Sequence, residues 1–136
     1  MAVATVSEVS KALRTALAEI DGLRVIEFIP DSLTPPMATV GIDNVVYHGA
    51  FGAGNPLYLF TVSVVVARAS DRIAQQRLDN FLSWDGGQSI RAAIEKDTTL
   101  CDTVQTCQVT SGGNVTSINV QEVIYLSVEF NVEVYP

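Results

Sequence analysis

The amino-acid sequence predicts an α+β fold: a largely antiparallel or mixed β-sheet with helices packed on one side, in the order α-β-β-β-α-α-β-β. Three observations predict it. The opening twenty residues place apolar side chains at helical spacing. Two later segments, Leu57 to Ala67 and Ile124 to Tyr135, alternate with period two, as half-buried strands do. Strands also come in runs broken by helices, a pattern that belongs to α+β folds.

The first helix buries Val6, Val9, Leu13, Ala16, Leu17 and Ile20, with Ser7, Glu8, Lys11, Arg14 and Glu19 on its other faces. Thr5 or Ser7 can cap its start, and Asp21-Gly22 stops it. "LRVIEFI", from Leu23, reads as a strand. Three prolines between Pro30 and Pro36 then forbid a regular ladder and favour a stiff loop. "MATVGI" is a short strand, and "DNVVYHGAFGAGNP" a glycine-rich loop. In the strand that follows, Tyr58, Phe60, Val62, Val64 and Val66 share one face. Leu57, Leu59, Thr61, Ser63 and Val65 share the other, which is too apolar for water alone, so one of the two faces is expected to meet helices and the other something else, such as a neighbouring subunit.

A second helix is expected from Ser70 to Leu82, burying Ile73, Leu78, Phe81 and Leu82. Arg68, Ser70, Asp71 and Arg72 crowd its start. Ser70 sits where an N-cap belongs and Asp71 where the helix dipole favours an acid, so this cluster reads as punctuation between strand and helix. "SWDGGQ" breaks the helix, and a third spans Ser89 to Lys96 with Ile90, Ala93 and Ile94 inward. "DTVQTCQVTSGGNV" predicts a strand ending in a hairpin turn at Gly113-Asn114. In the last strand Ile124, Leu126, Val128, Phe130, Val132 and Val134 form the dry face. Tyr125, Ser127, Glu129, Asn131, Glu133 and Tyr135 form the other.

With 136 residues, no repeat and no linker, residues 1–136 are expected to be one domain. Charged residues make up only 17%, against about 25% in an average soluble domain. Interface centres are depleted in charge, so the shortfall hints at self-association. The net charge of −7 argues against a surface that grips phosphates, though not against an acidic wall around nucleic acid. No apolar run approaches the roughly eighteen residues of a membrane span, and the N-terminus has no signal-peptide pattern. Cys101 and Cys107 are too few ligands for a metal site and read as buried thiols of a reducing compartment.

Catalytic constellations are missing from this reading. A nucleophilic Ser70 would need a base, and the single His48 lies in a separate loop. The glycines of "GAFGAGN" precede a strand, where a phosphate cradle needs a helix N-terminus. No catalytic, cofactor-binding or metal-binding residue is therefore expected. Phe51 could dock a partner or fold back on the core, and Trp84 could anchor an interface or cap the core.

Four segments in order, "LRVIEFIPDSLTPPMATVG", "VVVARASDRIAQQRLDNFL", "SIRAAIEKDTTL" and "YLSVEFNVEVYP", resemble small neck proteins of long-tailed bacteriophages. In particular they are similar to tail terminators of phages that infect actinobacteria. The resemblance implies a virion structural protein that is not an enzyme. It would assemble in the host cytoplasm as a hexameric ring on the head-proximal end of the tail tube, stop tube growth and join the head connector. Its partners would be copies of itself, the tail tube protein and the connector, with DNA passing through the lumen and no membrane involved. On this view the loops Pro30–Pro36 and Gly49–Pro56 dock to tube or connector. The expected interface residues are Pro35, Pro36, His48, Phe51, Asn55, Pro56 and Trp84. Two alternatives stay open: another neck component or tube subunit, and a small-molecule-binding domain or enzyme.

Overall fold

The computed structural model describes residues 4–26, 36–47, 56–70, 72–100 and 102–136. Its elements follow the predicted order: α1 (Val6–Leu17), β1 (Arg24–Ile26), β2 (Met37–Val46), β3 (Leu57–Arg68), α2 (Ala74–Leu82), α3 (Ile90–Glu95), β4 (Thr106–Val120) and β5 (Val123–Tyr135). The strands form one mixed sheet in the order β1-β2-β3-β5-β4, parallel only between β1 and β2. The fold is α+β.

One face of the sheet carries the core. Phe60, Val62 and Val64 of β3 and Val128, Val132 and Val134 of β5 are almost wholly shielded from water there. They lie in the same hydrophobic cluster as Val9, Leu13 and Leu17 of α1, Phe81 of α2, and Ile90 and Ile94 of α3. The helices thus cover a single side. Helix α1 starts as its sequence requires: the Thr5 hydroxyl accepts the Glu8 amide at 3.2 Å. It ends at Leu17, and turn bonds carry the chain on to Gly22, whose φ of 82° is the left-handed conformation glycine supplies most easily.

Several boundaries differ from the sequence prediction. Strand β2 is longer than "MATVGI": it bulges between Ile42 and Asn44 and runs on to Val46. Ser70 does not cap α2. The Ala69 amide donates to the Ile124 carbonyl, which holds the chain on the sheet beyond β3, and the helix starts only at Ala74 without a side-chain cap. With the start moved, Ile73 lies outside the helix and 41% exposed, and Leu82 at the other end is also exposed. The hairpin turn is not at Gly113-Asn114. Strand β4 passes through that point as a bulge, with Asn114 at φ 53°, and turns at Gln121-Glu122.

Strand β5 alternates as predicted from Val128 to Val134 but not near its start, where Ile124 is 51% exposed and Tyr125 is buried. A bulge in β3 between Val65 and Ala67 breaks the pairing beside this segment and buries Val66 and Ala67 in succession.

Candidate functional site

The most exposed large apolar side chain among the described residues is Trp84, at 75%. It does not cap the core. It is nevertheless held in place. The Arg91 guanidinium lies 3.7 Å from the centre of the indole ring, and its Nε donates to the Trp84 carbonyl at 2.7 Å. Arg91 Nη1 reaches Glu95 Oε1 at 3.2 Å, and Glu95 Oε2 accepts the Val109 amide of β4 at 3.1 Å. A continuous polar chain therefore ties an outward-facing indole to the sheet. Cation–π contacts at exposed positions are worth about 0.5–1 kcal/mol, enough to bias the rotamer of the indole.

The turn that carries Trp84 is ordered by its own sequence. Ser83 takes an extended conformation and ends α2, while the Ser89 hydroxyl donates to the Ser83 carbonyl at 2.6 Å and accepts the Ala92 amide at 3.1 Å. That one buried hydroxyl closes the turn and caps α3. Gly86, at φ 114°, makes the bend, and Gln88 Nε2 donates across to the Asp21 carbonyl.

A groove of about 580 Å³ lies between α1 and α3. Ile94 and Leu100 form its floor, and Ala12, Ala16 and Ala93 its walls. Its rim is charged, with Lys96 spanning to Glu19 at 3.6 Å, an exposed pair of little energetic weight.

Two further surfaces are open. The face of the sheet away from the helices has Asp43, Glu129 and Glu133 in its central part, with Arg24 and Arg68 at the margins. Strand β4 is a sheet edge of 15 residues with neither a charge nor a proline. Natural edges normally carry such features to block pairing with other strands. Here the devices are Glu95 on the Val109 amide and two bulges.

Of the interface residues predicted from sequence, Trp84 is brought to the surface, while Pro36 and Pro56 are half-buried at strand starts. The Pro36 carbonyl accepts the Arg24 amide and closes the β1–β2 pair. Pro35, His48, Phe51 and Asn55 lie outside the described residues, as does most of both loops. Sequence reasoning missed Arg91 and Glu95. Their i,i+4 spacing signals an ion pair, but nothing in it signals the stacked indole.

Among the described residues no three His, Cys, Asp or Glu side chains gather as a metal site would require, and no helix is long and apolar enough to cross a membrane. Cys107 is buried on the core face. Burial, reinforced by Glu95 and Asp97, pushes its thiol up to about 11, so it stays protonated and weakly nucleophilic near neutrality. Cys101 lies outside the described residues. Compared with known proteins, the chain matches no protein-family model and no curated protein.

Proposed function

We propose that this chain is a virion structural protein: a tail terminator that closes into a hexameric ring on the head-proximal end of a phage tail tube, stops its growth and offers the joining surface for the head connector. The ordered sequence resemblance carries this reading. The fold supports it with a sheet covered by helices on one side only, which leaves an acidic face, a long uncharged edge and a braced indole for contacts with other chains. In a ring the acidic face would suit the lumen, since a like-charged wall repels phosphate and lets DNA pass unbound. Lateral contacts would be heterologous ones that close. Action of this kind is steric and needs no turnover or cofactor.

Electron microscopy of the purified chain, alone and added to phage tail tubes, tests the reading. Discrete rings, and tubes capped at one end, are expected. Open filaments of the chain itself would instead make it a tube subunit, which shares the requirement for lateral contacts. A chain that stays monomeric on the tube end would sink both.

A further inference from the structure

Trp84 and the α1–α3 groove are both organised by one short helix. Arg91, which braces the indole, and Ala93, which walls the groove, are two residues apart on α3 and project about 200° apart around its axis. Ile90 and Ile94 point between them into the core. The chain thus presents an aromatic knob and, apart from it, an apolar recess. Trp84 is not among the residues that line the groove, so knob and recess do not meet within one molecule. Between copies they make a head-to-tail contact, the kind that generates rings when the rotation closes.

We propose that Trp84 of one copy inserts into the α1–α3 groove of the next and is the anchor of self-association. The recess is large enough for an indole with room for neighbouring side chains, and its walls are small residues that let a flat ring approach. The bracing by Arg91 lowers the ordering cost, because the indole is already held before it docks. Trp is among the residue types enriched at interface anchors. A buried indole removes about 150–250 Å² from water. That is a fraction of the roughly 800 Å² per partner in a stable interface, so Trp84 is the energetic centre of a wider contact. This inference rests on the self-assembly in the proposed function and adds which surfaces meet.

Trp84 is the only tryptophan of the chain, so its fluorescence reports its own burial. On raising the concentration until sedimentation detects assemblies, the emission should shift to the blue and lose access to acrylamide. Trp84→Ala removes the knob and Ala16→Arg fills the groove; Thr15→Arg, at an exposed position on the rim, serves if Ala16→Arg fails to fold. Each should weaken self-association by roughly 30-fold or more while the far-ultraviolet spectrum is unchanged. Mixing the two kinds of variant should restore a 1:1 heterodimer and nothing larger, because one groove and one knob remain. Assemblies in which Trp84 stays fully open to acrylamide, or groove variants that assemble like the wild type, would overturn the proposal and leave ring formation standing. A wild-type chain that never self-associates would remove the proposal and the ring together.

Discussion

The two faces of the sheet are built from the same strands, yet they do opposite work. On β3, Tyr58, Phe60, Val62 and Val64 face the helices and are buried, while Leu57, Leu59, Thr61, Ser63 and Val65 alternate with them on the open side and are only half-buried. On β5, Val128, Phe130, Val132 and Val134 oppose Glu129, Asn131 and Glu133 in the same way. The covered face holds the chain together, whereas the other is half-open along most of β3 and shielded only at one end, where Met37, Tyr125 and Ser127 are buried. The difference teaches that apolar content alone does not tell the core face from the half-open one. What distinguishes them is whether helices pack on that side.

The sharpest way to break this comparison is to truncate one residue from each face at neighbouring positions. Phe60→Ala should cost about 3–5 kcal/mol, because a fully buried ring loses both its transfer energy and the packing around it. Thr61→Ala, one position along and facing the other side, should cost about 1 kcal/mol or less. Urea denaturation of the two variants measures the gap. Equal losses would mean that the open face is as structural as the covered one.

Much of this division was legible in the sequence. The alternation of β5 from Val128 onward named the dry face correctly, whereas in β3 it separated two faces that are both too apolar for the pattern alone to say which meets the helices. Helix α1 was legible from its spacing and its Thr5 cap. Turn chemistry misled at Gly113-Asn114. The same tolerance of positive φ that makes such residues good turns also makes them good bulges, and Asn114 uses it inside a strand. The start of α2 was misplaced because a cap residue is only a local option. The bond from Ala69 to Ile124 comes from a strand more than fifty residues away and overrides Ser70. Of the exposed surface features, Trp84 could be named as a candidate, but its brace and the groove between α1 and α3 depend on side chains that meet only in the fold.

Gly112 sharpens the comparison from within the bulged strand. A Cβ there would stand 2.7 Å from two ring carbons of Phe130 and 3.1 Å from Leu82 Cδ2. Gly112 is therefore where β4 lets an aromatic ring and a helix end pack closely, and an aromatic ring cannot bend out of the way. Gly112→Ala should destabilise by about 1–3 kcal/mol, whereas Gly113→Ala, with open space around it, should cost well under about 1 kcal/mol. Thermal melts of the pair decide the point.

Cys107 probes the covered face through pH. Its thiol ionises near 9.0 in an exposed setting and at about 11 in the fold, chiefly because burial disfavours the thiolate. Between these values the unfolded chain releases the proton while the folded chain keeps it, so stability falls as pH rises from about 9 and levels off above about 11. Below pH 9 this residue contributes no slope. Cys107→Ser should flatten the alkaline loss in urea titrations at a series of pH values. An unchanged slope would place the thiol in water.

The smallest effect is expected at the hairpin turn, beyond the cover of either face. Gln121 and Glu122 both have positive φ, at 52° and 68°, the pattern of a two-residue turn that matches strand twist but strains side chains with a Cβ. For most residues the left-handed conformation costs roughly 1–2 kcal/mol. Glycine removes that cost but loses about 0.5–1 kcal/mol of its larger freedom in the unfolded chain. The balance favours Glu122→Gly by a few tenths of a kcal/mol to about 1 kcal/mol. Because Glu122 is exposed at the turn, the change should raise the melting temperature without altering association. A fall in stability would show that the glutamate makes a contact outweighing its strain, and that the hairpin tip belongs to the structural half of the molecule.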